Sequence, residues 1–241
     1  MIDKSSNSVM WFRRDLRLED NPALVAASKA GDVTPLFVLD PMFLQRSGAP
    51  RLAFLFRSLR DLNREIGGAL VVRVGDPVDV VAKVAQEVNA LEVFATKDFA
   101  PYGQKRDAAV GKALEKTGAK LSHAGSPYAV EPGTVRKADA TPYSVFTPFS
   151  KVWLAHGWSA PISKPRVKWH GAPSVVSEAI PDDPSLTSKI ADVGESAAWK
   201  RWEHFAENAL GKYKTERNNP DRDGCSQMSV YLRFGVVHRA T

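Results

Sequence analysis

Residues 9–123 hold five short apolar runs, each separated from the next by a stretch of helical periodicity, and this alternation constrains the fold more than any other feature of the chain. The runs are Val9–Phe12, Thr34–Leu39, Leu70–Val74, Glu92–Ala95 and Lys120–His123. The helical stretches between them are Pro22–Ala30, Arg51–Ile66, Pro77–Val88 and Tyr102–Lys116. A helix between two strands returns the chain to the same end of a sheet, so strands connected in this way run parallel. Runs such as Pro35-Leu36-Phe37-Val38-Leu39 lack the polar alternation of a half-solvated strand and suit a sheet covered on both faces. The predicted fold class is α/β, a doubly wound five-stranded parallel sheet. Right-handed crossovers put its first strand at the centre, beside the second and the fourth. Ligands of such sheets settle at the carboxyl ends of the strands, where the strand order reverses.

The phosphate motifs common in such folds are missing. No G-x-G-x-x-G follows the first strand and no Walker-type glycine loop is present, which argues against a nucleotide dehydrogenase or an ATPase. Gly67-Gly68 reads as a helix stop. A single cysteine, Cys225, excludes an internal disulfide and a cysteine-rich metal site, so no metal is expected. No run approaches the roughly 18 apolar residues of a membrane span, and the first eight residues lack the apolar core of a signal peptide. The expectation is a cytoplasmic protein without a membrane partner. A net charge of +6 permits a polyanionic partner without requiring one. Arg57, Arg60 and Arg64 share a helix face with Asp61 and read as a solvated surface.

Beyond the fifth run the pattern dissolves into a stretch rich in Pro, Ser and Thr, and periodicity returns at Glu195. The expected organisation is a disordered start at 1–8, an α/β domain at 9–130, an interdomain connection at 131–194, and a helical unit beginning at 195 and continuing to 241. In that unit Ala198, Trp199, Trp202, Phe205, Ala206, Ala209, Leu210 and Tyr213 form one apolar stripe, on a helix ending before Asn218-Asn219-Pro220. The aromatics of Thr141 to Trp153, inside the connection, read as anchors to a core.

Two segments carry more than fold. Trp11-Phe12-Arg13-Arg14-Asp15-Leu16-Arg17-Leu18-Glu19-Asp20-Asn21 closes the first strand, and Asn21 with Pro22 makes a good helix start. On charge alone the turn is an ordinary solvated loop. The second segment runs from Tyr213 through Arg217 and Pro220 to Asp223-Gly224-Cys225-Ser226-Gln227-Met228-Ser229 and on to Leu232 and Gly235. Asp223-Gly224 signals a turn, and Ser226 offers a cap for a helix starting near Gln227.

As strings these segments are specific. The first resembles the amino-terminal signature of the DNA photolyase and cryptochrome family, and the second resembles that family's flavin-phosphate loop. The aromatic segment between them is similar to the family's stretch after its α/β domain. A class I-like bacterial photolyase is the best match.

The resemblance implies light-dependent repair of cyclobutane pyrimidine dimers in DNA by electron transfer from reduced FAD, with DNA as partner and a monomer at full length. It implies that Tyr213, Cys225, Ser226, Gln227, Met228 and Ser229 contact the FAD phosphates and that Arg217 lies on the flavin-proximal side. Cys225 stands where the family usually has Thr, and a thiol is the weaker hydrogen-bond partner. Arg51 and Phe54 match positions lining an antenna pocket, although Phe54 replaces a Tyr. Tyr102 and Gly103 stand where folate-using relatives carry an Asn-Glu pair, so a deazaflavin or flavin antenna is expected and not a folate. The catalytic residues of the family fall beyond Thr241, and the chain reads as the family's amino-terminal part. The 241-residue chain by itself is expected not to repair DNA and to bind FAD weakly or not at all. The alternatives are a cryptochrome-like blue-light sensor, or an inactive isolated α/β fragment.

Overall fold

The structure, a computed structural model, describes residues 7–238. Its sheet has five strands, β1 (Asn7–Phe12), β2 (Asp32–Leu39), β3 (Val71–Val74), β4 (Ala90–Ala95) and β5 (Lys120–His123). All pairings are parallel and the order is β3-β2-β1-β4-β5, with β1 between β2 and β4. Helices α1 (Pro22–Ala30), α2 (Pro41–Arg46), α3 (Ala49–Glu65), α4 (Pro77–Glu87) and α5 (Pro101–Glu115) fill the crossovers. Strand side chains alternate between two cores. Met10 and Phe12 join Leu24 of α1 and Phe54, Leu59 and Leu62 of α3 on one face. Val9 and Trp11 join Val81 and Val84 of α4 and Val110 and Leu114 of α5 on the other. Burial on both faces is what the unbroken apolar runs require.

The elements differ from expectation in a few places. The start was expected to be disordered through residue 8, yet β1 begins at Asn7 and Ser8 is fully buried, its hydroxyl donating to Ala27 O at 2.9 Å; residues 1–6 lie outside the described residues. Helix α2 has too few residues for periodicity to reveal. It forms because the Asp40 carboxylate accepts from Met42 N at 2.9 Å and Pro41 occupies the first turn.

The connection contains a helix, α6 (Phe146–His156), but none of its residues is buried, and Phe146 is 77% exposed. Its aromatics meet one another, as Trp153 does Trp158 at 5.0 Å, and do not anchor a core. The anchor is further on, where backbone bonds tie residues 168–178 along the sheet. His170 N donates to Val33 O at 2.8 Å, Ala172 N to Ala69 O at 3.1 Å, and Glu178 N to Val72 O at 2.8 Å. Val72 N in turn donates to Ser177 Oγ at 2.9 Å, closing the edge that β3 would otherwise leave open. The arginine face of α3 also serves this connection and is not simply solvated. Arg57 and Arg60 both pair with Asp183, and only Arg64 turns to Asp61 on its own helix.

The helical unit comprises α7 (Glu195–Asn208), a 3-10 turn at Leu210–Lys212, α8 (Tyr213–Glu216) and α9 (Ser229–Phe234). The expected continuous helix breaks at Ala209, next to Gly211, and an interior Gly costs a helix about 1 kcal/mol relative to Ala. The stripe therefore divides. Ala198, Phe205 and Ala209 are buried, whereas Trp202, Leu210 and Tyr213 are exposed.

Candidate functional site

The turn after β1 is a buried polar joint. Asp15 organises it, accepting from Arg13 N at 2.7 Å and from the Thr96 hydroxyl at 2.6 Å. Arg13 reaches across to Asp107 of α5 at 2.5 Å and also donates to Thr96 O. Its guanidinium lies 4.6 Å from the Trp11 ring centroid and that of Arg106 lies 5.0 Å away, so Trp11 is flanked by two cations. Burial lowers the Arg13 pKa, and Arg106 lowers it further. Burial alone would raise the pKa of Asp107. The His123 hydrogen bond and the charges of Arg13 and Arg106 outweigh it and bring the carboxyl down to about 2. The turn is thus far from the solvated loop that its charge alone suggested.

Arg17 carries the joint to the other end of the chain. Only 2% exposed, it donates to Asp20 O through Nε and Nη2 at 3.1 and 2.8 Å, and through Nη1 to Gly235 O at 3.2 Å. Leu16 N donates to Phe234 O at 3.2 Å. Gly235 sits at φ +64°, and a Cβ there would fall on the Arg14 backbone. The two segments singled out in the sequence, more than 200 residues apart, therefore meet backbone to backbone. Glu195 completes the contact, its carboxylate accepting from Leu18 N at 2.7 Å and Glu19 N at 3.4 Å while burial raises its pKa.

The strand order reverses between β1 and β4, and the depression at their carboxyl ends is lined by Arg13, Arg14, Asp15, Thr96, Lys97, Asp98 and Pro127. Its volume is only about 20 Å³, because the Arg13 and Asp15 side chains fill it. Beside it Arg14, Arg51 and Arg233 gather. Partial burial lowers the Arg233 pKa, and the charges of Arg14 and Arg51 lower it further, with Asp98 and Tyr128 facing the same group. Arg51, expected to line an antenna pocket, is exposed beside the crevice. Phe54 is not. It is 2% exposed and packs its ring against Phe234 at 5.1 Å and Tyr231 at 5.8 Å, so it joins the core beneath the crevice and offers no surface to a ligand. A far larger groove, about 1030 Å³, lies elsewhere, running from Leu16 and Leu18 past Asp61 and Glu195 to Arg201 and Gln227. Its walls mix acids with bases, so no ligand charge is favoured there, and the sheet-end crevice has the clearer chemistry.

The expected phosphate loop lies at the surface. The Arg217 guanidinium stands 5.6 Å from the Tyr213 ring centroid, and Tyr213 packs edge-on against Phe205. The thiol of Cys225, an exposed residue, donates to Arg217 O at 3.6 Å. The helix begins at Ser229 and not near Gln227, because Gln227 has φ +55°, outside helical space. Ser226 still caps locally, with its hydroxyl accepting from Met228 N at 3.5 Å. Among the described residues, no acceptor meets the N–H of Ser226 or of Gln227. Successive free amides at a left-handed residue form a concavity suited to an anion, so these residues fit a diphosphate. The sequence reading missed Arg14 and Arg233 in the crevice. It also missed Arg201 of α7, which reaches under the loop to Asp223. Arg233 and Arg201 each stand apart from other arginines in the sequence, and Arg14, though next to Arg13 in the first signature, meets Arg233 only through folding. Among the described residues, no cluster suits a metal ion and no helix is long and apolar enough to cross a membrane.

Comparison with known proteins accords with this arrangement. The family model described as DNA photolyase matches residues 8–166. A deoxyribodipyrimidine photo-lyase of Thermus thermophilus is 36% identical over 231 residues, covering 95% of this chain and 52% of that protein. A bacterial class III photolyase from Agrobacterium tumefaciens superposes with a TM-score of 0.85 at 28% identity, covering 98% of this chain and 52% of that one. A cryptochrome of Synechocystis sp. reaches a TM-score of 0.87 at 21% identity over 99% of this chain and 55% of its own, a likeness of fold. The chain spans about half the length of the curated deoxyribodipyrimidine photo-lyases it matches. With the family model covering well over half of its residues and both signatures joined in space, the chain belongs to the DNA photolyase family.

Proposed function

We propose that this chain forms the antenna-side and flavin-phosphate portion of a light-driven DNA-repair lyase acting on cyclobutane pyrimidine dimers. The observation that carries the reading is the junction itself. The Arg13–Asp20 turn and the Phe234–Gly235 end of α9 are bonded to one another, so the α/β domain and the flavin loop are held in one fixed relation. Transfer of excitation between two chromophores needs such a relation, and a hydrolase or dehydrogenase of this fold does not.

On this reading residues 9–130 are the antenna domain, 131–194 the connection, and the helical unit from 195 the start of the FAD-binding part. The free amides of Ser226 and Gln227, with the hydroxyls of Tyr213, Ser226 and Ser229, hold the diphosphate of FAD. Cys225 contributes its backbone only, since its thiol is engaged with Arg217 O. When bound, reduced flavin would lend the electron that opens the dimer's cyclobutane ring and would take it back once the ring has split, with no net oxidation. Arg14, Arg51 and Arg233 form the cationic wall of the antenna crevice, suiting an anionic flavin or deazaflavin. The dimer-containing nucleotides are the substrate, and a poorly stacked lesion is cheap to extrude from the duplex.

The test is loss of thymine dimers from an irradiated oligonucleotide under blue light, using the protein as its gene encodes it, supplied with FAD. Repair that stops in the dark is expected. Photoreduction of the flavin without dimer loss would replace the lyase with a cryptochrome-like sensor, the runner-up that shares this fold.

A further inference from the structure

Arg201 lies on α7, outside both signatures, yet it is the most heavily bonded side chain near the flavin loop. Its Nη1 and Nη2 make a two-pronged pair with Asp223 at 2.6 and 2.5 Å. Its Nε donates to Ser226 O at 3.0 Å, and Nη2 also donates to Cys225 O. The guanidinium projects from α7 into the loop, and 18% of the side chain is exposed. Asp223 is more open and also meets Gln227 Nε2 at 3.1 Å and His204 at 3.4 Å.

The two gripped carbonyls have a geometric consequence. In a planar trans peptide the N–H points opposite to the C=O. The carbonyl of Cys225 shares its peptide with the N–H of Ser226, and that of Ser226 shares its peptide with the N–H of Gln227. Drawing both carbonyls toward Arg201 therefore turns both amides to the opposite side, and these are the two amides that lack an acceptor. It also holds Gln227 at φ +55°, a conformation that non-glycine residues adopt at a cost. A free loop of this sequence would relax out of it.

We infer that Arg201 is the positioning residue of the flavin-phosphate loop, fixing the Cys225 and Ser226 carbonyls so that the Ser226 and Gln227 amides face the phosphates. The inference rests on reading residues 213–229 as that loop. Asp223 serves Arg201 by orienting its fork and by having its own negative charge neutralised near an anionic ligand. The carbonyl grips, and not the ion pair, do the shaping. An arginine is needed because one planar fork must satisfy a carboxylate and two carbonyls at once, which a lysine ammonium cannot do.

The experiment compares the wild-type chain with Arg201→Gln, Asp223→Asn, and the charge swap Arg201→Glu with Asp223→Lys. Two readouts are used on isotope-labelled protein. One is backbone order at 225–229 from heteronuclear NOE. The other is the affinity for inorganic pyrophosphate, from amide shifts of Ser226 and Gln227. Thermal unfolding is followed as a control. The expected result is loss of loop order and at least a tenfold loss of pyrophosphate affinity in Arg201→Gln, with little change in melting temperature. Asp223→Asn should lose about twofold to threefold. The charge swap, which restores the ion pair but has no donor for the carbonyls, should fail to rescue. Rescue by the swap, or an Arg201→Gln variant within twofold of wild type in order and affinity, overturns the inference. If pyrophosphate moves no amide of the wild-type loop while Arg201→Gln still disorders it, the phosphate-loop reading is what fails. Arg201 would then shape a loop of some other use.

Discussion

Substituting Gly235 by Ala tests the junction where its geometry is tightest. Gly235 has φ +64°, and a Cβ there would stand 2.7 Å from Asp15 Cα and closer still to the carbonyl of Arg14. Left-handed backbone at a residue bearing Cβ costs about 1–2 kcal/mol by itself. Relieving the clash with the Arg14 carbonyl requires the two backbones to separate by roughly 1.5 Å to restore ordinary van der Waals contact. That movement breaks the Leu16 N–Phe234 O and Arg17 Nη1–Gly235 O bonds, both 3.2 Å long and worth about 1 kcal/mol or more each. The expected total is about 3–5 kcal/mol, or two to three and a half decades in the opening equilibrium of α9. Gly118 is the internal control, with φ +79° and no atom within 4 Å of its added Cβ, so Gly118→Ala incurs only the conformational cost. Hydrogen exchange reads both variants, at the Leu232 and Val236 amides bonded within the α9 region and at the Ala119 amide bonded to Leu114 O. Acceleration about a hundredfold greater for Gly235→Ala than for Gly118→Ala is expected. Equal acceleration would show that the junction tolerates separation and that the two segments are not rigidly joined.

Two further outcomes follow from the polar groups around the sheet end. The Asp107 pKa lies at about 2 against an ordinary 3.8, so its stabilisation is complete above pH 4 and is lost as pH falls toward 2. The carboxyl is nearly buried, so the loss is on the order of 2 kcal/mol; urea unfolding at pH 5 and pH 2 should show that increment in the wild type and not in Asp107→Asn, and equal pH slopes in the two proteins would contradict it. At the crevice, Arg51→Gln should weaken flavin mononucleotide or deazaflavin binding about tenfold, the worth of one charge-assisted contact, and wild-type binding should weaken with salt. Equilibrium dialysis decides this, and tight folate binding with no flavin binding would overturn the antenna assignment.

The sheet was legible because its determinants are local. Runs such as Pro35 to Leu39 and caps such as Asn21, whose side chain accepts from Leu24 N at 3.1 Å, act within a few residues, and sequence order displays them directly. The order of the strands followed because few routes connect such units. The misreadings share a different cause. Arg57 and Arg60 read as a solvated face because Asp183 lies more than 120 residues away, and nothing near them announces it. Phe54 was placed at a pocket by its position in a motif, whereas its burial depends on Tyr231 and Phe234 arriving from the far end of the chain. The start of α9 was misplaced by two residues because a cap residue was visible and the left-handed turn at Gln227 was not.

The three joints around the loop at 223–229 make one closed circuit. Glu195 fixes the start of α7 to the turn through Leu18 and Glu19. Arg201, less than two turns further along α7, fixes the loop through Ser226. The far end of α9 returns to the same turn through Phe234 and Gly235. Inside the circuit lies an apolar contact shared by Ala198, Tyr231, Val236 and Phe54, each buried. A circuit of this kind resists shear better than its separate bonds would, because moving any one element strains the other two joints at once. It also explains why so much charge sits buried in a single turn. Arg17 and the backbone of Leu16 and Leu18 are anchor points of the second unit, whose hydrogen bonds offset part of the cost of burying them, alongside the Arg17–Asp20 bonds within the turn and the Asp20–Ile162 bonds to the connection. The crevice that Arg14 lines, with Arg51 and Arg233 beside it, and the loop that Arg201 shapes are thus referenced to one rigid corner. Two ligands held at these sites would keep a set distance through that corner, which neither site alone provides.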